Sequence, residues 1–288
     1  MHIFYFVFLL MCASGMHATD SLSIFIHGTG CGFTSHVARN LRYAPRGLVK
    51  IDENIKKKKQ KPGQYFIVHA KRLAQKNHER FDADSFYTFG WSGNLSFKTR
   101  DKASKVLAQE LAQTLQEYED NLPIVRIITF SHGGNIALGL GKYQDLLPKN
   151  VKIELILLAC PIQAETEQYV GASCFTKIYN IMSHNDVVQR IDPQNIYRVT
   201  KDSHSFFSRR TFIQLEEKIR QAQITINGIG FGHVDTCYGE TMLRLPFILD
   251  ALDNQVSPSV YKINFEDADH IAFGPFNYRR WLQRYMVL

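Results

Sequence analysis

The chain has 288 residues, 45% of them apolar, with 18 glycines and 9 prolines. That is enough apolar chain for one large core, and the composition excludes a collagen-like or disordered protein. The formal charge is +7; no nucleic-acid-binding motif accompanies it, so nucleic acid is not an expected partner.

Ile3 to Met11 is an apolar block too short to span a bilayer. Small residues follow (Ala13, Ser14, Gly15, Ala18), then polar Thr19-Asp20-Ser21. This is the layout of a secretory signal, with only the α-amino group and His2 as its basic end. Residues 1–18 are therefore expected to hold a signal peptide, cleaved after Gly15 or Ala18, leaving a periplasmic or secreted chain. Leu9-Leu10-Met11-Cys12 faintly resembles a lipoprotein signal, with bulky Met11 where a small residue belongs, which makes Cys12 a candidate anchor. Export leaves Cys31, Cys160, Cys174 and Cys237, with three pairings open. Cys160 and Cys174 bracket one loop and are the first candidates for a bridge; free buried thiols fit equally well. No metal-ligand spacing is present, so neither metal nor cofactor is expected.

From residue 19 onward one α/β domain is expected. Ser21 to Ile26 reads as a strand ending at His27-Gly28-Thr29-Gly30. Residues 42–83 read as a basic insertion, with an irregular helix around Ala70 to His78. Its lysine run, Lys56 to Lys61 followed by Pro62-Gly63, reads as a solvated loop or as a contact for an anionic surface such as phospholipid headgroups. Ser85 to Phe89 is a second strand. Residues 100–119 carry Ala103, Val106, Leu107, Leu111 and Leu115 at helical spacing. Ile124 to Phe130 is a strand, followed by a helix through Leu147. Ile153 to Leu158 and Phe175 to Met182 are strands, Phe212 to Ala222 a helix, Gln223 to Asn227 a last strand and Glu240 to Leu252 a helix. Residues 258–288, rich in aromatics, are expected to close the domain as a hairpin and helix. Strands alternating with helices predict a mostly parallel central sheet flanked by helices on both faces, with active groups at the carboxyl ends of strands.

The decisive segment is Ile124 to Phe130 followed by Ser131-His132-Gly133-Gly134-Asn135. A β-branched run leading into serine, two glycines and a helix is the pattern of a nucleophile elbow, in which the serine hydroxyl is presented at the top of the sheet. A serine hydroxyl needs a base, a carboxylate to orient that base and donors for an oxyanion. Ser131 is the candidate nucleophile. The backbone N–H groups of His132 and Thr29 are the candidate oxyanion donors. Asp186, after a later strand, is the candidate carboxylate, with Asp192 as competitor. His233, in the loop Gly228 to Gly232, is the candidate base, ahead of His204 and His270. His132 is not expected to be the base.

These residues resemble the α/β-hydrolase superfamily over most of residues 21–252. Phe89-Gly90-Trp91-Ser92-Gly93-Asn94 with Arg100, and the Ser131 to Asn135 segment, are similar to bacterial lipase- and esterase-like hydrolases. One departure is Thr129, where the G-x-S-x-G elbow has its first glycine. The resemblance implies hydrolysis of a lipid-like or small acyl ester through an acyl-enzyme, without cofactor. The alternatives are a thioesterase or amidase using the same groups, and a non-catalytic binding protein of the same fold.

Overall fold

The computed structural model describes residues 21–29, 46–51, 64–118, 121–192, 208–213, 216–233, 235–237, 239–255 and 259–266. The apolar runs of the sequence lie side by side in it. Strand β1 (Ser21–Ile26) is buried throughout and sits between β3 (Phe86–Gly90) and β4 (Ile124–Phe130), parallel to both. Strands β5 (Lys152–Leu158), β6 (Phe175–Met182) and β7 (Ile219–Ile226) extend the parallel set beyond β4. β2 (Gly47–Lys50) runs antiparallel outside β3. The order is β2-β3-β1-β4-β5-β6-β7, and β8 (Ile229–Gly230) turns back on the end of β7. β9 (Val260–Phe265) pairs with Gln221 to Ile226 of β7. Because β6 already holds Gln221 to Gln223, β9 must take the other edge of β7.

Side chains alternate across the strands, so each feeds two cores. Leu22, Ile24, Ile26, Ile153, Leu155 and Leu157 pack with helices α2 (Phe97–Leu115) and α3 (Gly133–Leu138). Phe25, Ile128, Ile156 and Leu158 pack on the opposite face, with Leu73 of α1 (Gln64–Lys76) and Leu245 and Leu249 of the last helix, residues Gly239–Asp253. Two short helices, α4 (Ala164–Glu167) and α5 (Val187–Ile191), follow β5 and β6; the last helix is therefore α6. The expected class, a mostly parallel sheet with helices on both faces, is the one observed.

Three local readings are corrected, and one left open is decided. Phe212 lies in a loop and the strand begins at Ile219, so the helix expected over Phe212 to Ala222 does not form. Pairing of Ile219 to Gln223 with β6 outweighs the helical spacing of those side chains. The helix after Ser131 is α-helical only to Leu138 and continues as 3₁₀ turns to Leu146. Val260 to Phe265 is not a hairpin arm, since α6 carries the chain over to a parallel edge position. Cys160 and Cys174 are free buried thiols rather than a bridge, and burial raises both above the ordinary thiol value. The lysine run, Cys12, Cys31, His204, His270, residues 1–18 and residues 267–288 lie outside the described residues.

Candidate active site

β4 ends at Phe130, and the next residue, Ser131, has φ = 52°. A left-handed non-glycine residue costs about 1–3 kcal/mol and persists only where its surroundings hold it. Here the Ser131 N–H donates to Leu158 O at 2.9 Å, tying the turn to the end of β5. The two glycines that follow are required by close approach. A Cβ on Gly133 would lie 2.7 Å from His27 O, and one on Gly134 would lie 2.9 Å from Cys160 Cβ. That same gap explains Thr129. Its hydroxyl donates to Ile156 O at 3.3 Å, and Gly134 leaves the room that a glycine at 129 would otherwise provide.

Three strand ends converge on Ser131. Asp186 follows β6, is fully buried and caps α5, its Oδ1 accepting the Gln189 N–H at 3.0 Å. Its Oδ2 lies 2.8 Å from His233 Nδ1. His233 follows the β7–β8 turn, and its Nε2 lies 3.0 Å from Ser131 Oγ. An ionised carboxylate only accepts, so it selects the Nδ1–H tautomer of His233 and leaves Nε2 as acceptor for the serine hydroxyl. Gly230 allows this placement, because a Cβ there would meet Ser183 Oγ at 2.6 Å. The Phe130 ring packs 4.9 Å from the imidazole. The sequence predicts an exposed hydroxyl, but Ser131 is buried, with His233 and the Gly28 loop against it.

That loop follows β1. A Cβ on Gly28 would come within 2.8 Å of Ser131 Cβ, so only glycine lets the loop reach Ser131. Among the described residues, neither the Thr29 nor the His132 backbone N–H has a hydrogen-bond partner. The Trp91 indole N–H donates to His27 O at 2.8 Å, its backbone N–H to His27 Nε2 at 3.2 Å, and the two rings stack. This gives the W-S-G segment a local task that the sequence did not reveal: it clamps the loop that carries Thr29.

Asp192, the competing carboxylate, does not meet His233. Its Oδ1 lies 2.8 Å from Nε2 of His132. Sequence reasoning also missed Gln163, which joins Asp192 to Arg100, for want of any local signal.

No known family profile matches the chain, and no curated protein matches it. Among solved structures, one of a study of the metagenome-derived lipolytic enzymes LipS and LipT is 9% identical, covering 59% of this chain and 74% of its own, with a TM-score of 0.30. A lipase/esterase from Lactobacillus plantarum is 13% identical, covering 93% of this chain and 88% of its own, with a TM-score of 0.31. Likenesses this distant assign nothing to individual residues.

Proposed function

We propose that this chain is a serine hydrolase of the α/β-hydrolase type that cleaves a carboxylic ester through an acyl-enzyme. The observation that carries the reading is the continuous relay from Ser131 Oγ to His233 Nε2 (3.0 Å) and from His233 Nδ1 to Asp186 (2.8 Å), built on a left-handed turn. His233 takes the hydroxyl proton as Ser131 Oγ attacks the acyl carbon, and Asp186 stabilises the imidazolium. The carbonyl oxygen gathers charge beside the N–H groups of Thr29 and His132. His233 then returns the proton to the departing alkoxide. A water, activated in the same way, releases the acid and restores Ser131.

A lipid-like or small acyl ester is the substrate class we favour. Val187, Val188 and Ile191 of α5 are exposed directly after Asp186, which puts apolar surface beside the relay. A thioester or amide would use the same groups. Reaction with a fluorophosphonate probe, followed by mass spectrometry, tests the reading: an adduct on Ser131 and turnover of short-chain nitrophenyl esters are expected. A chain that neither labels nor turns over is a binding protein instead. The proposal includes export and an anionic membrane surface as the partner of Lys56 to Lys61. N-terminal sequencing of natively expressed protein is expected to find a chain that starts after Gly15 or Ala18, and vesicles containing anionic lipid to retain the mature chain at low salt. A chain that starts at Met1, or ignores such vesicles, refutes these two points.

A further inference from the structure

Behind the elbow lies a second histidine–aspartate pair that the relay above does not use. His132, Asp192, Gln163, Arg100, Asn135 and Thr166 are all buried and hydrogen-bonded in one chain. Arg100 Nη2 donates to Gln163 Oε1 at 2.7 Å. Gln163 Nε2 donates to Asp192 Oδ2 at 3.1 Å, and Asp192 Oδ1 lies 2.8 Å from His132 Nε2. On the other side of the imidazole, Asn135 Nδ2 lies 3.3 Å from Nδ1 and also donates to Pro161 O at 2.9 Å. Asn135 Oδ1 accepts from Thr166 Oγ1 at 2.5 Å.

The direction of every bond follows from the two ends of the chain. A guanidinium has donors only, so Gln163 must turn its oxygen to Arg100 and its NH₂ to residue 192. Residue 192 must then accept on Oδ2. At the other end Pro161 O, an acceptor only, turns the Asn135 NH₂ toward His132 Nδ1, so Nε2 carries the hydrogen and residue 192 accepts on Oδ1 as well, which an ionised Asp does and an Asn cannot. His132 must therefore donate from Nε2, and its Nδ1 becomes the acceptor that Asn135 needs. Burial pushes the His132 imidazole below its ordinary value, with the Asp192 hydrogen bond opposing and the charge of Arg100 assisting. Burial alone would raise Asp192, but hydrogen bonds from His132 and Gln163 and the charge of Arg100 hold it below the usual carboxylate range. The charged and titratable groups bearing on the ring are thus Asp192, Arg100 and His233.

We propose that His132 is a positioning residue: a buried donor–acceptor chain starting at Arg100 locks its ring as the Nε2–H tautomer and thereby fixes its backbone N–H as an oxyanion donor to Ser131. Only the last step rests on the hydrolase reading. The ring ties the first residue after Ser131 to Asp192 at the end of α5, and through Asn135 and Asp192 to Pro161 and Gln163 in the loop after β5. A shift of a few tenths of an ångström in that residue would misdirect its N–H.

Two measurements on the full chain test this. Protein labelled with ¹⁵N-histidine, with the His132 ring assigned by its loss in His132→Gln, is expected to show a neutral Nε2–H imidazole unchanged between pH 8 and pH 5.5; a Nδ1–H form, or ordinary titration, overturns the chain. In steady-state kinetics on a nitrophenyl ester, His132→Leu and Asp192→Asn are expected to lower kcat by about 10- to 100-fold with KM nearly constant, the size expected of misplaced catalytic groups. His132→Gln, whose amide can still donate to Asp192, is expected to recover most of that loss. Folded variants that keep wild-type kcat, or that change KM alone, overturn the positioning role. A wild-type chain that neither labels nor turns over refutes the hydrolase reading and the oxyanion role with it, and the NMR result still judges the locked tautomer.

Discussion

Trp91 and His27 grip each other twice: the indole N–H of Trp91 donates to His27 O at 2.8 Å, and its backbone N–H donates to His27 Nε2 at 3.2 Å. His27 Nδ1, left as the N–H nitrogen, donates to Gly28 O at 2.8 Å. The loop bearing Thr29 is thus held from β3 as well as from β1. Trp91→Phe keeps the ring stack and removes one buried hydrogen bond, for an expected cost of about 1–3 kcal/mol in denaturant unfolding. If Thr29 is an oxyanion donor, kcat falls by about 10-fold as the loop loosens, while KM changes little; an unchanged kcat in the folded variant separates the clamp from catalysis.

Asp186 both caps α5 and faces His233. Asparagine caps a helix as well as aspartate does, but it does not select the Nδ1–H tautomer of the histidine. Asp186→Asn is therefore expected to keep nearly the wild-type melting temperature while kcat drops by about 10⁴-fold. Calorimetry paired with ester kinetics checks this. A loss of activity that tracks a loss of folding would reduce Asp186 to a structural cap.

Gly134 and Cys160 share one space. Gly134→Ala drives a methyl group into the Cys160 side chain, and overpacking of this kind costs about 1–3 kcal/mol. Cys160→Ala in the same chain opens the space again and is expected to restore about half of the loss, so the two substitutions should be non-additive in a double-mutant cycle. Additive effects would mean that the helix start, not the thiol, resists the methyl group.

His69 in α1 is buried, and desolvation, aided by the charge of Arg72, lowers its pKa from 6.5 to about 4. The unfolded chain then binds a proton at a pH where the folded chain does not, so stability falls as pH drops from about 6.5 to about 4. The shift corresponds to a loss on the order of 3 kcal/mol across that window. His69→Gln, measured by urea unfolding at pH 7.5 and pH 4.5, is expected to flatten this part of the stability profile. An equally steep profile in the variant would assign the loss to other groups.

Local signals in the chain were sufficient for the sheet class and for naming the groups of the candidate site. Strands β1, β4, β5 and β6 are apolar over most of their length because both faces are buried. The elbow is legible because a left-handed serine between a strand and a helix requires small neighbours within a few residues. Asp186 and His233 are legible from their order after Ser131 and their places behind strands.

Pairings between distant segments were decided only by the tertiary structure. On paper either of two aspartates six positions apart, Asp186 and Asp192, could face the histidine that follows Ser131 in chain order. The lateral order β4-β5-β6-β7 sets the pairing: it brings the loops behind β6 and β7 together over Ser131 and turns Asp192 toward the elbow from behind. The same holds for the first half of β7, Ile219 to Ala222, whose side-chain spacing reads as helix until β6 and β9 claim its two edges. Periodicity records which side chains are buried, whereas hydrogen-bonding partners far along the chain leave no periodic trace.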